Sequence, residues 1–192
     1  MMKNILVPIA QGFEEIELVS IIDTLRRAGL NVIVASLDSQ KLVRGGHQIF
    51  IQADMVLSEV DISSLGAIVL AGGLEGMQNL AASSKIIEII QTLDSQKSLV
   101  CAICASPIVL NKAGVLKGDF TCYPGCEENI KAHRLEVAVV KNENLITSAG
   151  PATGILFALE IIKELCGAQK AQALWEGMQI PLAQSYPNTF AS

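Results

Sequence analysis

The feature that most constrains the fold is the regular alternation of apolar runs with stretches of helical periodicity. The helical period is clearest at 14–29, where Gly29 supplies a stop signal. Strands are predicted at 4–9, 31–37, 65–73 and 98–105, and further helices at 83–96, 106–116, 151–167 and 168–178. Strands separated by helices indicate βαβ units and a mostly parallel sheet. We therefore expect an α/β fold, a doubly wound, flavodoxin-like three-layer sandwich.

Three segments depart from this alternation. Residues 41–54 predict a hairpin around Gly45 and Gly46. Residues 134–150 predict two strands joined by a Lys-Asn-Glu-Asn turn. The polar, proline-containing stretch at about 180–192 is interpreted as a loose or docking tail at the end of one domain that spans residues 1–192.

The composition narrows the class of protein. The chain has 192 residues, of which 51% are apolar and 17% charged, as expected for one interior-rich domain. A net charge of −5 argues against nucleic-acid binding. No apolar run approaches the roughly 18 residues that a membrane span requires. The short apolar N-terminus does not resemble a signal peptide, so we expect a cytoplasmic protein whose five cysteines are reduced.

Cys104 is the first candidate for chemistry. In open α/β sheets, sites lie beyond the carboxyl ends of the strands, and Cys104 stands where the strand at 98–105 gives way to a helix. Free N–H groups and the positive dipole end of that helix favour a thiolate, so we expect a lowered pKa for Cys104. Cys101 lies within the apolar run and is predicted to be core.

Acidic residues crowd the start of the first helix, after the first strand. Glu14 and Glu15 are explained by the helix dipole. Glu17 shares a helical stripe with Ile21 and Ala28, which points it toward the sheet. Burial there should raise its pKa and allow it to donate a hydrogen bond to a thiolate or to exchange protons with a substrate. A purely structural role for Glu17 remains open at this stage.

Glycines after the third strand complete the candidate site. Gly72 and Gly73 allow a tight turn that exposes N–H groups, which together with the N–H of Ala105 are candidates to hold an oxyanion beside Cys104. An ordinary glycine turn is the alternative. His47 follows the hairpin glycines and is a candidate pocket residue, whereas His133 is interpreted as a surface residue.

Cysteine spacing offers a rival interpretation. Cys101-x2-Cys104 followed by Cys122-x3-Cys126 nearly matches a structural zinc pattern. The second spacing is one residue too long, and the first pair lies in an apolar strand where zinc knuckles do not normally occur. We keep a zinc-stabilised domain as a minor alternative.

The chain resembles the ThiJ/PfpI superfamily, and most closely its Parkinson-disease protein deglycase branch. The segments that carry the resemblance are "GFEEIE", "RRAG", "VLAGG…QNL", "CAICASP" and "TSAGPAT…FALEII". The resemblance implies a class I glutamine amidotransferase-like sandwich and a homodimer. It also implies that Cys104 is an oxidation-prone nucleophile, that Glu17 is a protonated acid beside it, and that Gly73 and Ala105 are backbone donors.

The resemblance further implies cofactor-free chemistry. On this resemblance, the protein is expected to convert glyoxals to hydroxy acids or to repair early glycation adducts. The substrates would be small reactive carbonyls or glycated adducts. A redox-sensing or chaperone-like stress protein without turnover is the alternative.

Several positions depart from the pattern of these relatives. Tyr123 replaces a histidine, and His47 and Ala149 replace arginines, so the pocket should be less positive. Glu14 is a further candidate for the pocket. Ala105 stands where the protease-like branch has histidine, which argues against a peptidase.

Overall fold

A seven-stranded sheet forms the centre of the molecule. The computed structural model describes residues 3–187. The elements in chain order are β1 (Asn4–Ile9), α1 (Glu15–Arg27), β2 (Val32–Ser36), β3 (Leu42–Arg44), β4 (Phe50–Gln52), β5 (Met55–Val56), β6 (Leu65–Leu70), α2 (Leu74–Ala82), α3 (Ser84–Ser95), β7 (Leu99–Ile103), α4 (Pro107–Lys112), β8 (Asp119–Phe120), β9 (His133–Arg134), β10 (Val139–Asn142), β11 (Leu145–Ser148), α5 (Gly154–Cys166), α6 (Ala168–Gly177) and α7 (Ile180–Ser185).

The sheet order is β10-β11-β7-β6-β1-β2-β5, and every neighbouring pair except β10–β11 is parallel. The chain moves outward from β1 to β2 and later returns to β6 on the other side of β1. This reversal is the topological switch point at which doubly wound sheets place their sites. The loops after β1, β6 and β7 meet beside it.

Helices cover both faces, which confirms the three-layer α/β sandwich. Helices α1 and α5 pack together on one face, and α2, α3 and α4 lie together on the other. Buried parallel strands have no solvent face, and β1, β6 and β7 are accordingly buried along almost their whole lengths. Their side chains join the helix faces in one continuous apolar core.

Most predicted elements are confirmed, including the hairpin, which is β3 paired with β4. Helix α2 was not predicted, and neither were the two-residue strands β5, β8 and β9. Of the loose or docking tail expected from about 180, residues 180–185 are not loose, because they form α7, which packs against α6 with Ile180 buried. Residues 188–192 lie outside the described part of the chain. None of the helices described within 3–187 is both long and apolar enough to span a membrane.

Candidate active site

Cys104 occupies a strained corner between β7 and α4. Its φ is +63°, which is uncommon for a residue with a Cβ. Two backbone bonds hold it there: the Cys104 N–H donates to Ser148 O at 2.9 Å, and its C=O accepts from Tyr123 N at 3.0 Å. The residue is only 9% exposed. The corner therefore turns the side chain out of the strand into the space above the sheet edge.

Glu17 lies in the first turn of α1 and is fully buried. Its Oε2 accepts the Gly72 N–H at 2.7 Å, and its carboxyl group hydrogen-bonds the Cys104 thiol. Within the described residues, Oε1 has no well-aligned partner. The sequence thus folds a carboxyl and a thiol against each other in a space from which most water is excluded.

Gly72 is required by the closeness of these two groups. A Cβ on Gly72 would lie 2.6 Å from both Cys104 Cβ and Glu17 Oε2, and 3.0 Å from Cys104 Sγ. Those separations are too short for any side chain. Glycine at this position lets the backbone N–H reach the carboxylate directly.

Backbone N–H groups also reach the sulfur. The amides of Gly73 and Ala105 both hydrogen-bond Cys104 and act to lower the pKa of its thiol. Gly73 has a φ of +91°, and a Cβ there would clash with Gly12 O. The N–H groups of Gly73 and Ala105 therefore hydrogen-bond Cys104, as predicted, whereas the N–H of Gly72 donates to Glu17 instead.

The pKa of the Cys104 thiol differs from the expectation. Burial, partly offset by hydrogen bonds from Cys104 and Gly72, raises the pKa of Glu17 to about 7. Burial first, and then the charge and hydrogen bond of Glu17, raise the pKa of the Cys104 thiol above its ordinary value. The expected lowering was wrong because burial and the adjacent Glu17 carboxylate disfavour the thiolate by more than the N–H groups of Gly73 and Ala105 favour it. The Glu17 carboxyl therefore titrates near neutral pH, and the thiol keeps its own proton unless a base removes it.

Glu14 and Glu15 have separate structural partners. Glu14 caps α1, since its Oε2 accepts the Glu17 N–H at 2.6 Å. Glu15 is buried and holds the hairpin by accepting from His47 N at 2.6 Å, His47 Nδ1 at 2.9 Å and Ile49 N at 3.4 Å. Burial alone would raise the pKa of Glu15, but these bonds outweigh it and lower the pKa. The helix dipole, which the sequence suggested as the reason for Glu15, therefore does not account for this role.

His47 and Tyr123 lie at the edge of this region. The His47 side chain is 74% exposed and its pKa is raised by the hydrogen bond to Glu15. The Tyr123 backbone contacts Cys104, and its half-exposed ring lies against Gly150, where a Cβ would be 3.2 Å from Tyr123 Cδ2. The backbone of Tyr123 thus contacts Cys104, whereas the side chain of His47 hydrogen-bonds Glu15.

The cysteines do not form the zinc arrangement. Cys101 is fully buried in β7, as predicted, and Cys122 Sγ faces Glu127 Oε2 at 3.6 Å. Among residues 3–187, the only trio of metal-ligand atoms within 4.8 Å of one another belongs to Glu14, Glu15 and His47. The zinc alternative was wrong because the apolar strand holds Cys101 away from any turn. His133 is on the surface, as predicted, beside Asp119.

Comparisons with known proteins agree with this geometry. Residues 3–164 match the DJ-1/PfpI family. Protein dj-1beta of Drosophila melanogaster is 38% identical over 184 residues, which cover 94% of this chain and 98% of the relative. The Caenorhabditis elegans protein named glutathione-independent glyoxalase DJR-1.2 is 33% identical over 166 residues, with 84% and 87% covered.

Solved structures show the same likeness. The Drosophila DJ-1beta crystal structure superposes with a TM-score of 0.89 at 37% identity, covering 93% of this chain and 98% of that one. Oxidized DJ-1 of Toxoplasma gondii gives a TM-score of 0.86 at 36% identity, with coverages of 92% and 98%.

The fold and site define an α/β sandwich with a cysteine at a strand-to-helix corner and a buried glutamate beside it. The chain belongs to the DJ-1/PfpI family, the ThiJ/PfpI superfamily suggested by its sequence.

Proposed function

We propose that this protein is a cofactor-free enzyme that converts 2-oxoaldehydes (glyoxals) into 2-hydroxy acids, with Cys104 as the nucleophile and Glu17 as the group that moves protons. The observation that carries the proposal is the contact between the Cys104 thiol and a Glu17 carboxyl whose pKa is about 7. A general base works best when its pKa lies near the working pH. The glyoxalase name of the C. elegans relative supports the same reaction class.

The first step is addition of the thiol to the aldehyde. The sulfur forms a bond to the aldehyde carbon, the C=O electron pair moves to oxygen, and the thiol proton passes to the Glu17 carboxylate. The N–H groups of Gly73 and Ala105, which already point at the sulfur, would stabilise the new oxyanion. Because Glu17 accepts the proton during attack, the thiol does not need a low pKa of its own.

The second step rearranges the hemithioacetal. The hydrogen on the former aldehyde carbon moves to the adjacent ketone carbon, as a hydride or through an enediol, and Glu17 returns its proton to the new alkoxide. Water then attacks the resulting thioester, the C–S bond breaks, and the thiol is restored. One carbon is oxidised and its neighbour is reduced, so water is the only co-reactant. Deglycase-type repair would begin with the same attack by sulfur on a carbonyl-derived carbon.

A redox-sensing role without turnover is the second candidate, favoured by the oxidized form of the Toxoplasma relative. The N–H groups of Gly73 and Ala105 are also placed to hold a sulfur–oxygen group on Cys104, which keeps 9% of its surface exposed. The two candidates differ in a single observable, which is catalytic turnover of a carbonyl compound.

The proposal is tested by measuring lactate formed from methylglyoxal. Cys104→Ser should lower the rate to the uncatalysed background, while Cys166→Ser, which changes a partly buried cysteine at the end of α5, should retain wild-type activity. Full activity in Cys104→Ser would contradict the assignment of the nucleophile. A wild-type protein that forms no lactate but takes up oxygen atoms at Cys104 under mild peroxide would favour the redox candidate.

We also propose that the protein is a homodimer. Ile16 and Val19 on α1 are 60% and 48% exposed, and Ile49 and Phe50 in the hairpin are 54% and 55% exposed. The Glu15–Ile49 hydrogen bond joins the start of α1 to the hairpin, and Val19 of α1 and Ile51 of β4 line one groove, so the two pairs lie on adjoining elements. Such a continuous apolar surface is typical of an interface rather than of a solvated face, and a second copy is the simplest partner.

A further inference from the structure

The backbone contacts of Cys104 place three further residues in or next to the loops that surround it. The Gly73 amide bonds the thiol, and Leu74 is the next residue. Tyr123 N donates to Cys104 O. Cys104 N donates to Ser148 O, and Ala149 follows Ser148. Consecutive Cα atoms are about 3.8 Å apart, so Leu74 and Ala149 begin one residue from a group that touches Cys104.

Two of these side chains are large and open to solvent. Leu74 is 67% exposed in the first turn of α2, and Tyr123 is 50% exposed with one edge of its ring against Gly150. A substrate held on the sulfur could cover the exposed carbon atoms of both. Burial of apolar surface is favourable in proportion to the area removed from water. Contact with these two residues would therefore strengthen the binding of a substrate that carries an apolar substituent.

The charges near the sulfur are negative. The charged neighbour that acts on the Glu17 carboxyl is Glu14, and the charge that acts on the Cys104 thiol is that of Glu17.

The nearby cations already have acidic partners. Arg44 pairs with Glu75 at 3.7 Å, and Arg134 with Glu127 at 3.6 Å. His47 pairs with Glu15 at 2.9 Å. A carboxylate brought in by a substrate would therefore meet the negative charge of Glu17 and Glu14, and each of these three cations within the described residues already has an acidic partner.

We infer that the site selects uncharged 2-oxoaldehydes with an apolar or aromatic substituent and discriminates against those that carry a carboxylate. Leu74 and Tyr123 supply the favourable contact, and Ala149 leaves the neighbouring loop without a cation. This inference rests on the glyoxalase activity proposed above and specifies its substrate class.

The test compares kcat/KM for glyoxal, methylglyoxal, phenylglyoxal and 4-carboxyphenylglyoxal at pH 7.5. Each value is divided by the rate at which N-acetylcysteine adds to the same aldehyde, which removes differences in intrinsic reactivity. We expect phenylglyoxal to exceed glyoxal by about tenfold or more, as a hydrophobic contact of this size allows. We expect the 4-carboxy compound to fall about tenfold below phenylglyoxal.

Two variants assign the substrate selectivity to residues, and a third is the control. Each is read as the ratio of kcat/KM for two substrates, so that a general loss of activity does not affect the result. Leu74→Ala should reduce the phenylglyoxal-to-glyoxal ratio by about threefold or more. Ala149→Arg should raise the ratio of the 4-carboxy compound to phenylglyoxal by about tenfold. Leu182→Ala, an equally exposed leucine on α7, should change neither ratio.

The outcomes separate this inference from the proposed function. If the wild type turns over none of the four aldehydes, the proposed function itself is contradicted. If glyoxal and methylglyoxal are converted but the four normalised rates are equal, or if Leu74→Ala and Ala149→Arg leave both ratios unchanged, the function stands and the selectivity inference is overturned.

Discussion

Glu17 is a carboxyl group that folding moves out of water without giving it a cation. Its pKa rises from 4.5 to about 7, so the folded state binds the proton more tightly than the unfolded chain does. The contribution to stability is complete below pH 4.5 and declines as pH rises toward 7. Burial of this group therefore destabilises the protein at neutral pH, which is expected of a residue retained for chemistry rather than for stability.

Replacement of Glu17 by glutamine should remove this pH dependence. The free energy of unfolding of the wild type should fall relative to Glu17→Gln by about 2 kcal/mol between pH 5 and pH 8, because the glutamine side chain does not ionise. Urea unfolding at the two pH values measures the difference. Glu88→Gln, on the exposed side of α3, is the control and should follow the wild type. Parallel curves for wild type and Glu17→Gln would show that Glu17 titrates normally.

At the scale of single residues, local sequence predicts the position of a side chain better than its pKa or its distant partners. The positions of Cys101 and Cys104 were predictable because strand alternation distinguishes a core residue from one at the strand end. The pKa of Cys104 was not predictable, because it depends on burial of the thiol and on a carboxylate 87 positions earlier in the chain. Both are fixed only by the packing of α1 against the sheet. The role of Glu15 was missed for the same reason, since its partners lie in the hairpin.

The buried carboxylate of Glu15 helps to hold the hairpin β3–β4 to the body of the protein, together with backbone bonds such as Gly12 N to Arg44 O at 2.8 Å and Gly46 N to Phe13 O at 2.9 Å. Glu15→Gln should loosen it, because a neutral amide is a weaker acceptor for the N–H groups of His47 and Ile49. Hydrogen exchange at these two amides should accelerate by about tenfold or more, which matches the energy of a charge-assisted bond. Glu88→Gln again serves as the control.

The same hairpin should respond to acid. The pKa of Glu15 is lowered in the folded state, so its stabilisation is present above its ordinary value of 4.5 and is lost as pH falls below it. Wild-type exchange in the hairpin should therefore approach that of Glu15→Gln at low pH. Equal protection of His47 and Ile49 in both proteins at pH 7 would contradict this account of the anchor.

Elements were predictable where their apolar pattern was long. The strands β1, β2, β6 and β7 have nearly continuous apolar sequences because both faces of a parallel sheet are buried. Helix α2 was missed because "LEGMQNLAA" contains a glycine and directly follows two others, so its local sequence favours a loop. The strands β5, β8 and β9 have two residues each and depend on tertiary contacts rather than on local pattern.

The whole molecule leaves the apolar surface of Ile16, Val19, Ile49 and Phe50 exposed as a monomer. Sedimentation velocity at micromolar concentration should show a dimer. Val19→Glu should shift it toward monomer, because a charge would be buried without a partner at the interface. Leu182→Glu, at an exposed site on α7, should remain dimeric. A wild-type protein that sediments as a monomer at these concentrations would contradict the proposed interface.

The central claim is that Cys104 and Glu17 act as one proton-sharing pair, and the rate of Cys104 alkylation across pH tests it most directly. Peptide mapping after brief treatment with iodoacetamide at pH 5 to 10 gives the rate at Cys104 alone. In the wild type this rate should rise through an inflection near pH 7, where Glu17 becomes a base, and the inflection should be absent from Glu17→Gln. Identical profiles in the two proteins, with one inflection at the ordinary pKa of a free thiol, would contradict the claim.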